Sequence, residues 1–185
     1  MDQTELVSAV FFARAVRDAV PEGGTFSFRV KGASMGPVIR DGDLVHVRRA
    51  AADEAAAGDI VVVETGEFLR AHRLVKKVSR ETERLATQGD TLLYLDEPVH
   101  PDNLLGVVET VEKPDGKKLC LRTWRSRVAA RFFLAAGTAG RFLASAIGPR
   151  AIETVHAGGS NTARRVLRSA YHLFSGIPYR IMSKE

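Results

Sequence analysis

Short apolar runs of period two, each set off by a turn signal, recur along residues 25 to 122 with no long helical stretch between them. That pattern narrows the fold more than any other feature of the chain, because many short strands joined by short turns pair most readily with their antiparallel neighbours. Phe26, Phe28 and Val30 alternate with Ser27, Arg29 and Lys31, the mark of a strand with one buried face. Behind turn signals at Asp41-Gly42, Gly58 and Thr65-Gly66 come Leu44 to Val47, Asp59 to Glu64 and Phe68 to Val75; Leu104 to Val111 and Leu119 to Thr123 follow. The expected fold is mainly β, a coiled antiparallel sheet or barrel-like domain over residues 23–122. The alanine-rich stretch Ala50 to Ala57 reads as a loop with a helical turn.

Residues 4–20 place Leu6, Val10, Phe11, Ala13, Val16 and Val20 at a spacing nearer to helix than strand, and Pro21-Glu22-Gly23-Gly24 ends the run. A short N-terminal helix is therefore expected within residues 1–22. Beyond Thr123 the composition turns to Ala, Arg, Phe and Leu, with breaks at Gly148-Pro149, Gly158-Gly159-Ser160 and Gly176-Ile177-Pro178. Two or three helices fit residues 123–185.

The net charge of +5 is unevenly spread: residues 122–185 hold 11 Lys/Arg against 2 acids, whereas residues 1–121 hold 16 against 20. The basic tail can attract phosphates, and an anionic membrane surface is the partner expected there, with nucleic acid not favoured. In that arrangement helices near Arg125–Ile147 and Ala163–Phe174 lie on lipid, burying Phe132, Phe133, Leu134, Phe142 and Leu143 and keeping the arginines at head groups.

Several classes are excluded on residue counts. One cysteine, Cys120, permits neither an internal disulfide nor a cysteine-rich zinc site, and no two histidines have the spacing of a zinc peptidase. No metal and no cofactor are expected. The opening Met1-Asp2-Gln3-Thr4-Glu5 is no export signal. Val128 to Gly148 is near spanning length, but Arg131 and Arg141 each cost about 2.5–3.5 kcal/mol in a bilayer. The expected location is cytoplasmic or peripheral to a membrane.

The chemistry concentrates in one segment. Ser34 lies in the glycine-flanked turn Gly32-Ala33-Ser34-Met35-Gly36-Pro37 after a strand, where small neighbours leave a hydroxyl accessible. His72 follows in Ala71-His72-Arg73-Leu74-Val75, and Asp90 and Asp96 come after it. A serine hydroxyl becomes a nucleophile when a base takes its proton and a third group orients that base, and all three residue types occur here in order. His46, His100, His156 and His172 lack such surroundings and read as structural or solvent-facing. Asp43 and Asp59, each after a glycine at a strand entrance, read as turn-forming.

Five ordered blocks resemble the clan of signal peptidases and LexA-like serine peptidases: Ser34-Met35-Gly36-Pro37 leading to Gly42-Asp43-Leu44-Val45, then Gly58-Asp59-Ile60-Val61-Val62, Ala71-His72-Arg73, Thr87-Gln88-Gly89-Asp90 with Asp96, and Leu105-Gly106-Val107-Val108. Within the clan, His-Arg with the later Gly-Asp looks most like the Ser-His branch of endoplasmic-reticulum and archaeal signal peptidases. The resemblance implies that Ser34 is the nucleophile, His72 the general base and then acid, and Asp96 the residue that orients His72, with Asp90 the second candidate. It also implies a peptide or protein substrate cleaved at one bond, in the manner of signal-peptide processing.

Chemistry favours histidine over the nearby lysines. An ordinary imidazole titrates near pH 6.5, whereas a lysine must be driven down from about 10.4 before it accepts a proton at neutral pH. Strand parity leaves Lys76 on the face of His72, but four residues along a strand span about 13 Å, too far for one contact to serve both. The Ser34 N–H is the natural donor to an oxyanion. Bacterial signal peptidases can add a hydroxyl two residues before the nucleophile, where this chain has Gly32. That departure, with the absence of a transmembrane anchor before Ser34, keeps a catalytically inactive binding or assembly module as an alternative. A LexA-like self-cleaving regulator is another, although 33 residues before Ser34 are too few for a helix-turn-helix domain.

Overall fold

The computed structural model describes residues 3–66, 68–78 and 84–147. Helix α1 (Gln3–Ala19) precedes strands β1 (Thr25–Arg29), β2 (Leu44–Arg49), β3 (Ile60–Glu64), β4 (Leu69–Val78) and β5 (Arg84–Gln88). A 3-10 turn at Pro101–Asn103 leads into β6 (Leu104–Glu112), then β7 (Lys118–Cys120) and helix α2 (Trp124–Ile147). The seven strands form one sheet in the order β1-β2-β6-β3-β4-β5, with β7 added to β6. Every pairing is antiparallel. β6 carries β2 along one edge and β3 then β7 along the other.

The coiled antiparallel sheet expected from the sequence is present, but it stays open rather than closing as a barrel. β1 and β5 are its two edges. Irregularities in register at His46/Val47, Val62/Val63 and Leu74/Lys76 bend it, as bulges do, without bringing those edges into register. The loops leaving the edge strands meet across the gap instead: Thr91, just after β5, donates its N–H to the Ser34 carbonyl at 2.9 Å.

The apolar run Ile60-Val61-Val62-Val63 is buried on both faces of the sheet. Ile60 and Val62 join the main core with Val45, Val47, Val108 and Val111, while Val61 and Val63 join a smaller cluster with Leu74, Leu85 and Leu104. α1 presses Ala13 and Val16 into the main core and ties itself to β3 through Arg17–Glu64 at 2.6 Å. Arg49 donates to the carbonyls of Arg17 and Val20, satisfying the end of the helix, and Gly23 (φ +77°) lets the chain turn back into β1.

α2 begins where the composition changes. Thr123 caps it by accepting from the Ser126 N–H at 3.2 Å, and Ser126 Oγ donates to the Cys120 carbonyl at 2.8 Å. Ala129 and Phe133 are buried in the main core, so Phe133 faces the sheet rather than a lipid surface; Phe132 and Phe142 are exposed. Among the described residues no helix is long and apolar enough to cross a membrane. The expected helix at Ala163–Phe174, with His156 and His172, lies outside the described residues. One strand was not anticipated: β5 falls in a stretch read from sequence for its chemistry, and its polar Thr87 and Gln88 break the apolar alternation that marks the others.

Candidate active site

The loop between β1 and β2 carries Ser34. Its base is pinched by hydrogen bonds from the Val30 N–H to the Asp43 carbonyl and from the Gly42 N–H to the Val30 carbonyl, each 2.9 Å. Asp43 accepts from the Arg40 N–H at 2.7 Å and is also paired, nearly fully buried, with Lys113 at 2.7 Å. Asp59 closes its own turn by accepting from the Ala56 N–H at 2.8 Å. Met35, Val38 and Ile39 plug the Ser34 loop into the core, which holds the serine at the surface of a packed scaffold.

Across the open side of the sheet, β4 presents His72 opposite Val61 of β3. Ser34 Oγ lies 2.8 Å from His72 Nε2, and His72 Nδ1 lies 2.6 Å from Asp96 Oδ2. Thr87 Oγ1 donates to the same oxygen at 2.7 Å, and Arg70 stands 3.6 Å from the other. Burial raises the Asp96 carboxyl's pKa, but hydrogen bonds from His72 and Thr87, with the nearby charge of Arg70, outweigh it and hold it below the ordinary carboxylate range. Asp96 is thus an ionised acceptor. His72 Nδ1 must carry the proton in that contact, which leaves Nε2 of a neutral ring to accept from the Ser34 hydroxyl. The hydrogen-bonded line runs in the sense a general base needs.

The structure brings Ser34, His72 and Asp96 together and sets Asp90 apart. Successive residues of a strand point to opposite faces, so Arg73 leaves β4 on the side away from His72. Asp90 follows Arg73: its two oxygens receive Arg73 Nε and Nη2, both at 2.7 Å, while Arg73 Nη1 donates to the Gly58 carbonyl at 2.6 Å. Asp90 does not orient the imidazole in this arrangement. Lys76 is exposed beyond the bulge at Leu74/Lys76.

Several supporting residues were not legible in the sequence. Thr87 is fully buried beside Asp96, and Thr91 holds the Ser34 carbonyl through both its N–H and its hydroxyl, the latter at 3.1 Å. Gly89 sits so close that a Cβ there would lie 2.9 Å from that carbonyl oxygen. α2 backs this loop: Phe133 lies under the Arg73 guanidinium at 4.7 Å, and Arg141 donates to Gln88, which in turn holds the Leu92 carbonyl at 2.5 Å. The Thr87-to-Asp90 block marked the region, but burial and partner choice depend on strand register.

The three residues open onto a cleft of about 860 Å³ lined by β1 and its exit, the start of β4, Leu92 and Tyr94. Among the described residues the Ser34 N–H has no acceptor. No group of three or more His, Cys, Asp or Glu among them is placed to hold a metal. The arrangement can activate a hydroxyl and return its proton to a leaving group. A protein-family model described as Peptidase S24-like matches residues 3–108, more than half of the chain and short of β7 and α2. No curated protein matches the chain.

Proposed function

The chain belongs to the Peptidase S24-like family, and we propose that within it this protein is a serine endopeptidase whose working groups are Ser34, His72 and Asp96. The observation that carries the reading is the 2.8 Å contact between Ser34 Oγ and His72 Nε2, on a ring held from behind by an ionised carboxylate. Ser34 Oγ attacks the scissile carbonyl carbon while its proton passes to His72 Nε2. The C–N bond then breaks as His72 gives that proton to the departing amine. Water, deprotonated by His72, attacks the acyl-enzyme ester, and the proton returns to Ser34 Oγ as the ester C–O bond breaks. The Ser34 N–H supplies the oxyanion donor, a contact of a kind worth about 2.7–4 kcal/mol in the transition state. A histidine base supports placement near the Ser-His branch of the clan.

Among the described residues β1 pairs along one side only, with β2, and its other edge suits an extended substrate added as a further strand. The test is a search by mass spectrometry for new N-termini produced from protein substrates. Cleavages made by the wild type and missing with Ser34→Ala support the reading. Identical products, or none, from both proteins count against it and favour a binding module.

Membrane association is part of the same proposal. Trp124, Val128 and Phe132 recur every fourth residue on the exposed side of α2, Phe142 continues further along, and the region carries the chain's excess of arginine. Binding to vesicles containing anionic phosphatidylserine should be lost when Trp124, Phe132 and Phe142 are replaced by Ser; retained flotation would remove α2 from that role.

A further inference from the structure

We infer that the peptide accepted at Ser34 carries bulky apolar side chains next to acidic ones, an inference that rests on the peptidase reading and specifies its substrate. The cleft is within the range of sites that enclose a ligand of several side chains, and an alanine leaves most of it as water. Its inner wall is aromatic. Phe12 of α1 and Phe28 line it, packed edge-on at 5.9 Å, and the buried Phe26 backs both rings, so this part of the wall is fixed before any peptide arrives. At its mouth Phe68 and Tyr94, 40% and 52% exposed among the described residues, offer two more aromatic rings beside Ser34. Met35 and Leu92 continue the apolar surface around Ser34.

The charges of the cleft have one sign where a peptide would meet them. Arg29, Lys31, Arg70 and Asp96 are its charged lining residues; Asp96 is engaged with His72 and Thr87 and lies 3.6 Å from Arg70, so the three cations outnumber the one acid. Arg29 ends edge strand β1, along which an added strand would run, and Arg70 precedes His72 by two residues on the same face of β4. Arg29 donates from Nη1 to the Gly42 carbonyl, leaving further N–H groups of its five for a carboxylate. Arg70 rests over the Phe68 ring at 5.3 Å, which joins the cationic and apolar parts of the cleft into one surface. Acidic side chains of a peptide are attracted by the positive field of these groups; basic ones are repelled by it.

The experiment uses the full-length protein and synthetic decapeptides that cross two variables, a Leu-Phe or Ala-Ala centre and Glu or Lys flanks. Binding to Ser34→Ala is read by fluorescence anisotropy, cleavage by the wild type is read in parallel, and labelling of the wild type by a fluorophosphonate reports whether Ser34 is activated. The Leu-Phe peptide with Glu flanks should bind at least about tenfold more tightly than either the Lys-flanked or the Ala-Ala version. The Glu-over-Lys preference should shrink in high salt and reverse in the double variant Arg29→Glu, Lys31→Glu. Labelling with a flat profile, or with a preference for Ala-Ala or Lys-flanked peptides, overturns this inference alone. Absence of labelling overturns the peptidase reading and the substrate with it.

Discussion

At the scale of single residues, the site depends on which atom of His72 carries the proton. Asp96 fixes Nδ1–H at 2.6 Å and thereby leaves Nε2 free to accept, so Asp96→Asn should present the wrong tautomer to Ser34 and lower kcat by about 10⁴-fold. Measured kcat close to that of the wild type would assign Asp96 a structural part only. Removing the base should have a kinetic effect of the same kind: His72→Ala should lower kcat/KM by orders of magnitude in steady-state assays, and an unchanged value would contradict its role. Asp96 also links stability to pH. Its folded pKa lies below the ordinary value, so the ionised group stabilises the fold above that value, and the contribution is lost as pH falls through the lowered one. Denaturant titrations of Asp96→Asn should accordingly show a flatter loss of stability towards acid than the wild type; parallel curves would contradict the assignment.

At the scale of elements, the working geometry comes from two loops and the strand between them. Gly89 is the tightest point, since a methyl group there would meet the Ser34 carbonyl, a backbone atom that cannot swing aside. Gly89→Ala should cost about 1–3 kcal/mol and lower kcat more than it raises KM, measured by thermal unfolding and steady-state kinetics. α2 reaches the same loop from the other face through Phe133, Arg73 and Asp90. Phe133→Ala should cost about 3 kcal/mol and reduce activity beyond what the loss of folded protein explains; unaltered specific activity would show that the helix is only packed there. Strand parity also explains what the sequence could not separate. Asp90 and Asp96 stand in one polar stretch after the same strand, and only the register of β4 with β5 reveals that Arg73 claims the first on one face while His72 meets the second on the other. Thr87 was illegible for a related reason: a threonine in sequence does not declare whether its hydroxyl is buried against a carboxylate.

At the scale of the whole molecule, the alternation of Phe26 and Phe28, the turn glycines and the run Ile60 to Val63 made the antiparallel sheet readable, because period and turn chemistry are local signals. Closure was not readable. Whether β1 and β5 pair depends on accumulated twist across the whole sheet, and here the gap between them is bridged by loops that carry Ser34 and Thr91. Ser34, His72 and Asp96 lie far apart in the chain and meet at this seam because three pieces of local structure converge there. The most direct test of that convergence is the rate of covalent labelling by a fluorophosphonate, with the modified residue located by mass spectrometry. Modification at Ser34, abolished by Ser34→Ala and slowed by orders of magnitude in His72→Ala but not in Lys76→Ala, is the predicted result. Undiminished labelling of Ser34 in His72→Ala, or its loss in Lys76→Ala, would contradict the account.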